Sequence, residues 1–137
     1  MKWLYERILK KQRGFTLIEL LIVVIILAVL AGIAVPSYLT ITSKAKESDT
    51  EAEMANIATA LELYNADKGG YPVGDLAAMT TALQTAPAYM TTVPQKDKWG
   101  NAYAYSGTAT EYTLTSQGIN SKPIEWKNGQ QTKFGSY

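Results

Sequence analysis

Twenty-one consecutive residues, Phe15–Val35, contain only two polar side chains, Thr16 and Glu19, and from Leu20 to Val35 there is none. A segment this apolar has few places to go. As a helix rising 1.5 Å per residue it reaches roughly 31 Å, the thickness of a bilayer hydrocarbon core. Its flank, Met1–Gly14, carries Lys2, Arg7, Lys10, Lys11 and Arg13 against Glu6 alone, a net charge of +4. Basic flanks stay on the cytoplasmic side, which predicts residues 1–14 in the cytoplasm and everything after the span outside. A cleaved secretory signal is the competing reading, with Gly32-Ile33-Ala34 as its small-x-small cut. The apolar stretch exceeds the ~7–15 residues of a signal core and Glu19 interrupts its start, which favours an anchor that stays.

Composition excludes several chemistries. The chain has 137 residues, no Cys and no His. That leaves no disulfide framework, zinc-thiolate site or thiol nucleophile, and no imidazole base for a serine-type triad. The formal charge of +1 is a cancellation, because residues 15–137 hold 8 basic and 11 acidic side chains. Asp75, Asp97, Glu111 and Glu125 make no recognisable acid–base constellation, so no enzyme is expected. Lys96, Lys98, Lys127 and Lys133 with Trp99, Tyr103, Tyr105 and Trp126 suggest a basic-aromatic face for single-stranded nucleic acid. Residues 68–137 are only +2, however. Aromatics that alternate along strands more often form core, and nucleic acid is not an expected partner.

The helical pattern outlasts the apolar run. Pro36 can kink a helix without ending it. Beyond it, Met54, Ile57, Leu61 and Tyr64 recur at i, i+3, i+7 and i+10, with Lys44, Lys46, Glu47, Asp49, Glu51 and Glu53 assigned to the other faces. Gly69-Gly70 followed by Tyr71-Pro72 stops the helix. The reading is one helix from about Phe15 to about Lys68, with 15–36 in lipid or a filament core and 37–68 amphipathic. Globular helices average ~11–12 residues, so this length needs a reason. In 69–137, Asp75 caps a short helix, Leu76–Gln84, closed by Pro87, and Pro94–Asn101 reads as a polar loop. Ala102–Ser106 and Glu111–Thr115 read as a hairpin turned by Gly107–Thr110. Ile124–Lys127 and Gln131–Phe134 form a second around Asn128-Gly129. The expected class is α+β, a long N-terminal helix packed on a small antiparallel sheet.

The string Arg13-Gly14-Phe15-Thr16-Leu17-Ile18-Glu19-Leu20 resembles the processing site of type IV pilin-like prepilins, and Phe15–Pro36 resembles their N-terminal helix throughout. The resemblance implies the pilin fold. It also implies a leader, 1–14, cut off by a membrane-embedded prepilin peptidase between Gly14 and Phe15, with Phe15 then N-methylated. Glu19 takes the family's acidic position, and Gly32 and Pro36 become points where the helix bends or melts during packing. The implied partners are copies of the same chain, the inner-membrane assembly platform and minor pilins or pseudopilins. The implied location is the inner membrane, then a periplasmic or extracellular filament. Physical chemistry agrees about Glu19. A carboxylate in a membrane segment is costly and usually functional, and the helix dipole offsets only ~0.5 kcal/mol. A new amine at Phe15 of a neighbouring subunit is the expected counter-charge.

Gly70-Tyr71-Pro72, Val93-Pro94, Asp97-Lys98-Trp99-Gly100-Asn101-Ala102-Tyr103-Ala104-Tyr105 and Tyr112-Thr113-Leu114-Thr115-Ser116-Gln117-Gly118 look like the major (G-type) pseudopilins of type II secretion. That resemblance implies a periplasmic piston-like filament; the alternative is the major subunit of a type IV pilus for adhesion, motility or DNA uptake. It also implies a calcium site after the first hairpin, where this chain departs: Gln117–Trp126 contains no Asp, and Asn120 stands where an acid is expected. Glu125 is the nearby carboxylate, and calcium wants several oxygens, so no cofactor is expected. The acidic span Lys44–Asp67, net −4, and the basic remainder suggest either head-to-stalk complementarity between subunits or a plainly solvated face.

Overall fold

The computed structural model describes residues 14–85, 87–119 and 122–133. In chain order it contains α1 (Leu17–Lys68), α2 (Leu76–Gln84), β1 (Ala104–Gly107), β2 (Tyr112–Ser116), β3 (Ile124–Lys127) and β4 (Gln130–Lys133). The four strands form one antiparallel sheet in sequential order, which makes the class α+β. The chain divides into two compact units between Thr40 and Ile41.

In the first unit α1 is apolar and every described residue is exposed. It is long and apolar enough to cross a membrane. Gly32 and Pro36 do not interrupt it. Pro36 has no N–H to give the Gly32 carbonyl, and hydroxyls supplement the ladder nearby: Ser37 Oγ donates to the Ile33 carbonyl at 3.3 Å and Thr40 Oγ1 to that of Pro36 at 3.1 Å.

The second unit owns the core. Along α1, buried Glu47, Thr50, Met54, Ile57 and Leu61 are spaced alternately three and four apart, one stripe of a helix. Met54, Ile57 and Leu61 meet Met79 and Leu83 of α2 and Tyr105, Tyr112, Leu114 and Ile124 of the sheet. Each such side chain contributes about 1.5–3 kcal/mol on burial. Glu47 departs from its expected place on a solvated face: it is 5% exposed. The three-four spacing, run back from Met54 through Thr50, carries position 47 onto the buried stripe whatever its chemistry. Its Oε2 and the Trp126 indole N–H are buried without a hydrogen-bond partner among the described residues.

Helix ends follow their local chemistry. Gly69 takes φ +74° and its N–H reaches the Asn65 carbonyl at 2.8 Å, a left-handed terminator. Asp75 caps α2, its Oδ1 accepting the Ala77 and Ala78 N–H groups at 3.1 Å each.

The first hairpin lies one to two residues later than expected. Gly107 is not in its turn; it is the last residue of β1, paired with Tyr112. Crowding explains the glycine: a Cβ there would lie 2.2 Å from the Pro72 carbonyl oxygen and 2.3 Å from Tyr105 Oη. The turn instead begins at Thr108, whose N–H donates to the Glu111 carbonyl at 2.8 Å. β4 likewise starts at Gln130, one residue early, and Phe134 lies outside the described residues. A bulge falls opposite Glu125/Trp126, where Thr132 Oγ1 donates to the Glu125 carbonyl and to its Oε1.

The expected polar loop 94–101 is organised from inside. Asp97 is 5% exposed. Its Oδ1 accepts the Trp99 and Asn101 N–H groups at 3.0 and 2.9 Å, and its Oδ2 accepts Ser116 Oγ at 2.8 Å. Ser116 Oγ in turn accepts the Gly118 N–H at 3.1 Å. One carboxylate thus ties the loop to β2. The same loop reaches α1, where the Lys98 N–H donates to Thr50 Oγ1 at 3.3 Å.

Candidate processing and assembly site

The residues expected to carry processing and assembly lie together at the start of α1. Gly14, Phe15, Thr16 and Glu19 line one shallow, open depression, and Phe15 is 83% exposed. A Cβ added at Gly14 would meet nothing within 4 Å, so no contact of the described residues demands glycine there.

Thr16 and Glu19 hold each other. The Thr16 N–H and Oγ1 both donate to Glu19 Oε2, at 2.9 and 3.0 Å, while the Glu19 N–H donates to Thr16 Oγ1 at 3.3 Å. This is a reciprocal capping box with Thr16 at the N-cap and Glu19 at the third helical position. It satisfies two orphan donors and sets a negative group against the positive end of the helix dipole. Sequence reasoning treated Glu19 as an acid awaiting a counter-charge and missed Thr16. The signal was present, since Thr-x-x-Glu ahead of an apolar run is the sequence mark of such a box. Glu19 therefore has an anchoring role inside its own subunit, beside any role toward a neighbour.

Gly32 and Pro36 lie elsewhere on α1 and do not join this cluster. A Cβ added at Gly32 meets nothing within 4 Å, so no contact of the described residues requires glycine there.

The remaining candidates separate. Tyr103 and Tyr105 are buried, their hydroxyls donating to Glu53 Oε2 at 3.0 Å and the Pro72 carbonyl at 2.8 Å. Lys98 Nζ pairs with Glu53, and Lys127 with Glu125 at 3.7 Å. Tyr103 and Tyr105 are thus core residues and no part of an exposed basic-aromatic face. In the loop after β2, Lys122 N–H closes on the Ile119 carbonyl at 3.0 Å, and Glu125 Oε1 is engaged by Thr132 and Lys127. Asn120 lies outside the described residues. Among those described, no three Asp, Glu, His or Cys side chains converge on a metal position.

Four acidic residues of α1 serve the head of their own subunit. Glu51 accepts from Gln131 Nε2 at 2.9 Å, Glu53 from Tyr103 and Lys98, Glu62 from Tyr71 Oη at 2.9 Å, and Asp67 from Tyr89. A further stripe of α1, again spaced four and three apart, is exposed throughout: Ala45, Asp49, Ala52, Asn56, Thr59, Leu63 and Ala66. Asp49 is the one charge on it.

Comparison with known proteins places both ends of this description. A prokaryotic N-terminal methylation motif matches residues 9–35, and the type II secretion system (T2SS) protein G family matches residues 37–132. The chain is similar to the type II secretion system core protein G of Vibrio cholerae serotype O1, 34% identical over 126 residues that cover 80% of this chain and 84% of that one. It is also similar to that of Pseudomonas aeruginosa, 34% identical over 125 residues, covering 82% and 87%. With Escherichia coli strain K12 the identity is 32% over 120 residues, covering 79% and 82%. An exposed apolar helix opened by a capped acid, and a small head folded on its far half, are thus found in one matching sequence frame: the chain belongs to the protein G family of the type II secretion system.

Proposed function

We propose that this chain is the major pseudopilin of a type II secretion system. It enters the inner membrane with residues 1–14 cytoplasmic and is cut between Gly14 and Phe15 by prepilin peptidase. It is then N-methylated on Phe15 and polymerised into a periplasmic filament through α1. The observation that carries this reading is the described first unit of α1, apolar and exposed throughout. Such a surface needs lipid before assembly and identical helices after it. The exposed stripe from Ala45 to Ala66, with its single charge, supports the same conclusion, because a solvated helix would carry more charge there. The match of residues 37–132 to protein G favours secretion over a surface pilus.

Glu19 has two jobs in this reading. Within the subunit it caps α1; between subunits it receives the Phe15 amine of a neighbour, fixing register as subunits leave the bilayer. Buried ion pairs serve registry better than net stability. The two jobs separate experimentally. Glu19→Gln keeps a side chain able to complete a capping box and removes the charge. In cells holding the peptidase and assembly platform, intact mass should give residues 15–137 plus one methyl group for both proteins. Filament yield, read by cross-linking of sheared fractions, should collapse for Glu19→Gln. Wild-type yield would refute the pairing, and an unprocessed or unmethylated wild-type chain would refute the pseudopilin reading.

A further inference from the structure

The β3–β4 turn is made of Asn128-Gly129, the dipeptide most open to loss of ammonia. Glycine offers no side chain to hinder attack of its backbone nitrogen on the neighbouring carboxamide. The fold nevertheless requires this pair. Both residues take positive φ, +46° and +76°, the two-residue turn that matches the twist of paired strands. At 128 Asn tolerates that backbone better than most residues, and its Oδ1 accepts the Tyr112 N–H at 2.9 Å. At 129 a Cβ would stand 2.9 Å from Glu62 Oε1. Glu62 is itself held by Tyr71 Oη, which leaves it little freedom to yield.

One residue holds both reacting groups. The Tyr112 backbone N–H holds the Asn128 side-chain oxygen, and the Tyr112 phenol oxygen accepts the Gly129 N–H at 2.8 Å. Tyr112 is itself fixed: it is fully buried, edge-on to Tyr71 at 4.9 Å and stacked on Tyr105 at 6.0 Å. We propose that Tyr112 is a clamp against deamidation, which makes Asn128 a latent modification site exposed only when β2 and this turn separate.

The chemistry being blocked is defined. The Gly129 nitrogen gives up its proton and bonds to Asn128 Cγ; the Cγ–Nδ2 bond breaks and ammonia leaves. Solvent water then opens the succinimide at either carbonyl, giving aspartate or isoaspartate. In the folded head the Gly129 N–H is committed to Tyr112 Oη and the Asn128 carboxamide to Tyr112 N. Neither can swing toward the other without breaking a partly buried bond. Isoaspartate would lengthen the turn backbone by one carbon and pull Lys127↔Gln130 and Trp126↔Gln131 out of register.

The test uses the full chain in detergent micelles at mildly alkaline pH, with Tyr112→Phe beside it. Conversion at Asn128 is followed by peptide mass mapping with isoaspartate detection, native and in denaturant. Native wild type should convert far more slowly than denatured wild type. Native Tyr112→Phe should convert roughly two- to tenfold faster than native wild type, the gain in open population from losing one hydrogen bond. Denatured, the two should match. Equal native rates, or native wild type converting as fast as denatured, overturns the clamp. Should Tyr112→Phe fail to fold, amide exchange of wild-type Gly129 decides: protection supports the clamp, and free exchange overturns it.

Discussion

Replacing Asp97 offers a sharp test of how the head is held together, because one buried carboxylate serves two backbone N–H groups, a hydroxyl and, at 3.4 Å, the Asn101 side-chain amide. Asp97→Ala strands the Trp99 and Asn101 N–H groups and the Ser116 hydroxyl, now held at 3.0, 2.9 and 2.8 Å. Each stranded buried donor costs about 1–3 kcal/mol. The Ser116 hydroxyl can rotate to another acceptor, so the sum should be about 3–5 kcal/mol. Asp97→Asn keeps an amide oxygen for the two N–H groups and turns its NH₂ toward Ser116 Oγ, which must then accept. The loss is chiefly the carboxylate's stronger bonding, about 1 kcal/mol. Urea unfolding of a fragment beginning at Ile41, followed by fluorescence of Trp99 and Trp126, reads both. With a slope of about 1–1.5 kcal/mol/M for a unit this size, Asp97→Ala should lower the midpoint by about 2–5 M and Asp97→Asn by about 1 M or less. Equal shifts, or an Asp97→Ala loss below about 1 kcal/mol, would refute the view that this carboxylate organises the loop.

Three further outcomes follow from the same structure. Leu61→Ala in the core should cost about 2–5 kcal/mol, whereas exposed Leu63→Ala should stay within about 0.5 kcal/mol, both by the same unfolding. Burial pushes Tyr112 up to about 12 and raises Tyr103 and Tyr105 as well. Above pH 10 the unfolded chain sheds phenolic protons that the folded head retains, so stability is intact below pH 10 and falls toward pH 12. Tyr112 alone accounts for up to about 2–3 kcal/mol of that loss, and phenolate absorbance should rise together with unfolding. Thr16→Ala should cost about 1 kcal/mol of helix start, seen in micelles as lost amide protection over the first turn of α1, with Thr16→Ser close to wild type.

The elements with strong local signals were legible before any coordinates. Gly69-Gly70 ended α1 at Lys68, Asp75 and Pro87 framed α2, and Asn128-Gly129 placed the second turn, because each acts through its own backbone. What escaped depended on residues distant in sequence. Gly107 looked like a turn glycine, and only Pro72 and Tyr105, packed against it, reveal a strand residue that must lack a Cβ. Asp97 looked solvated until Ser116 of β2 was seen to share it. Glu47 is buried for a different reason: its place in the three-four spacing outweighs its charge. At the candidate site Gly14, Phe15 and Glu19 lie close together in sequence and, with Thr16, line one depression at the start of α1. The Thr16–Glu19 box is written in the same stretch, as Thr-x-x-Glu ahead of an apolar run.

The charge arrangement on α1 also bears on how copies of this chain meet. Of the acids on α1, Glu53 and Asp67 face the cations Lys98 and Lys68, while Glu51, Glu62 and Asp67 accept from the neutral Gln131, Tyr71 and Tyr89 of the same subunit. A second copy approaching the exposed stripe from Ala52 to Ala66 meets no charged side chain on the stripe itself, only the relief of Ala, Asn, Thr and Leu side chains. Dissolved ions act on exposed charge and leave shape alone. Contacts on this stripe should therefore ignore ionic strength and respond sharply to bulk, so that Ala52→Leu weakens lateral association where a change from low to high salt does not. In that sense the helix is electrically quiet and sterically exacting, a surface that sorts its neighbours by fit.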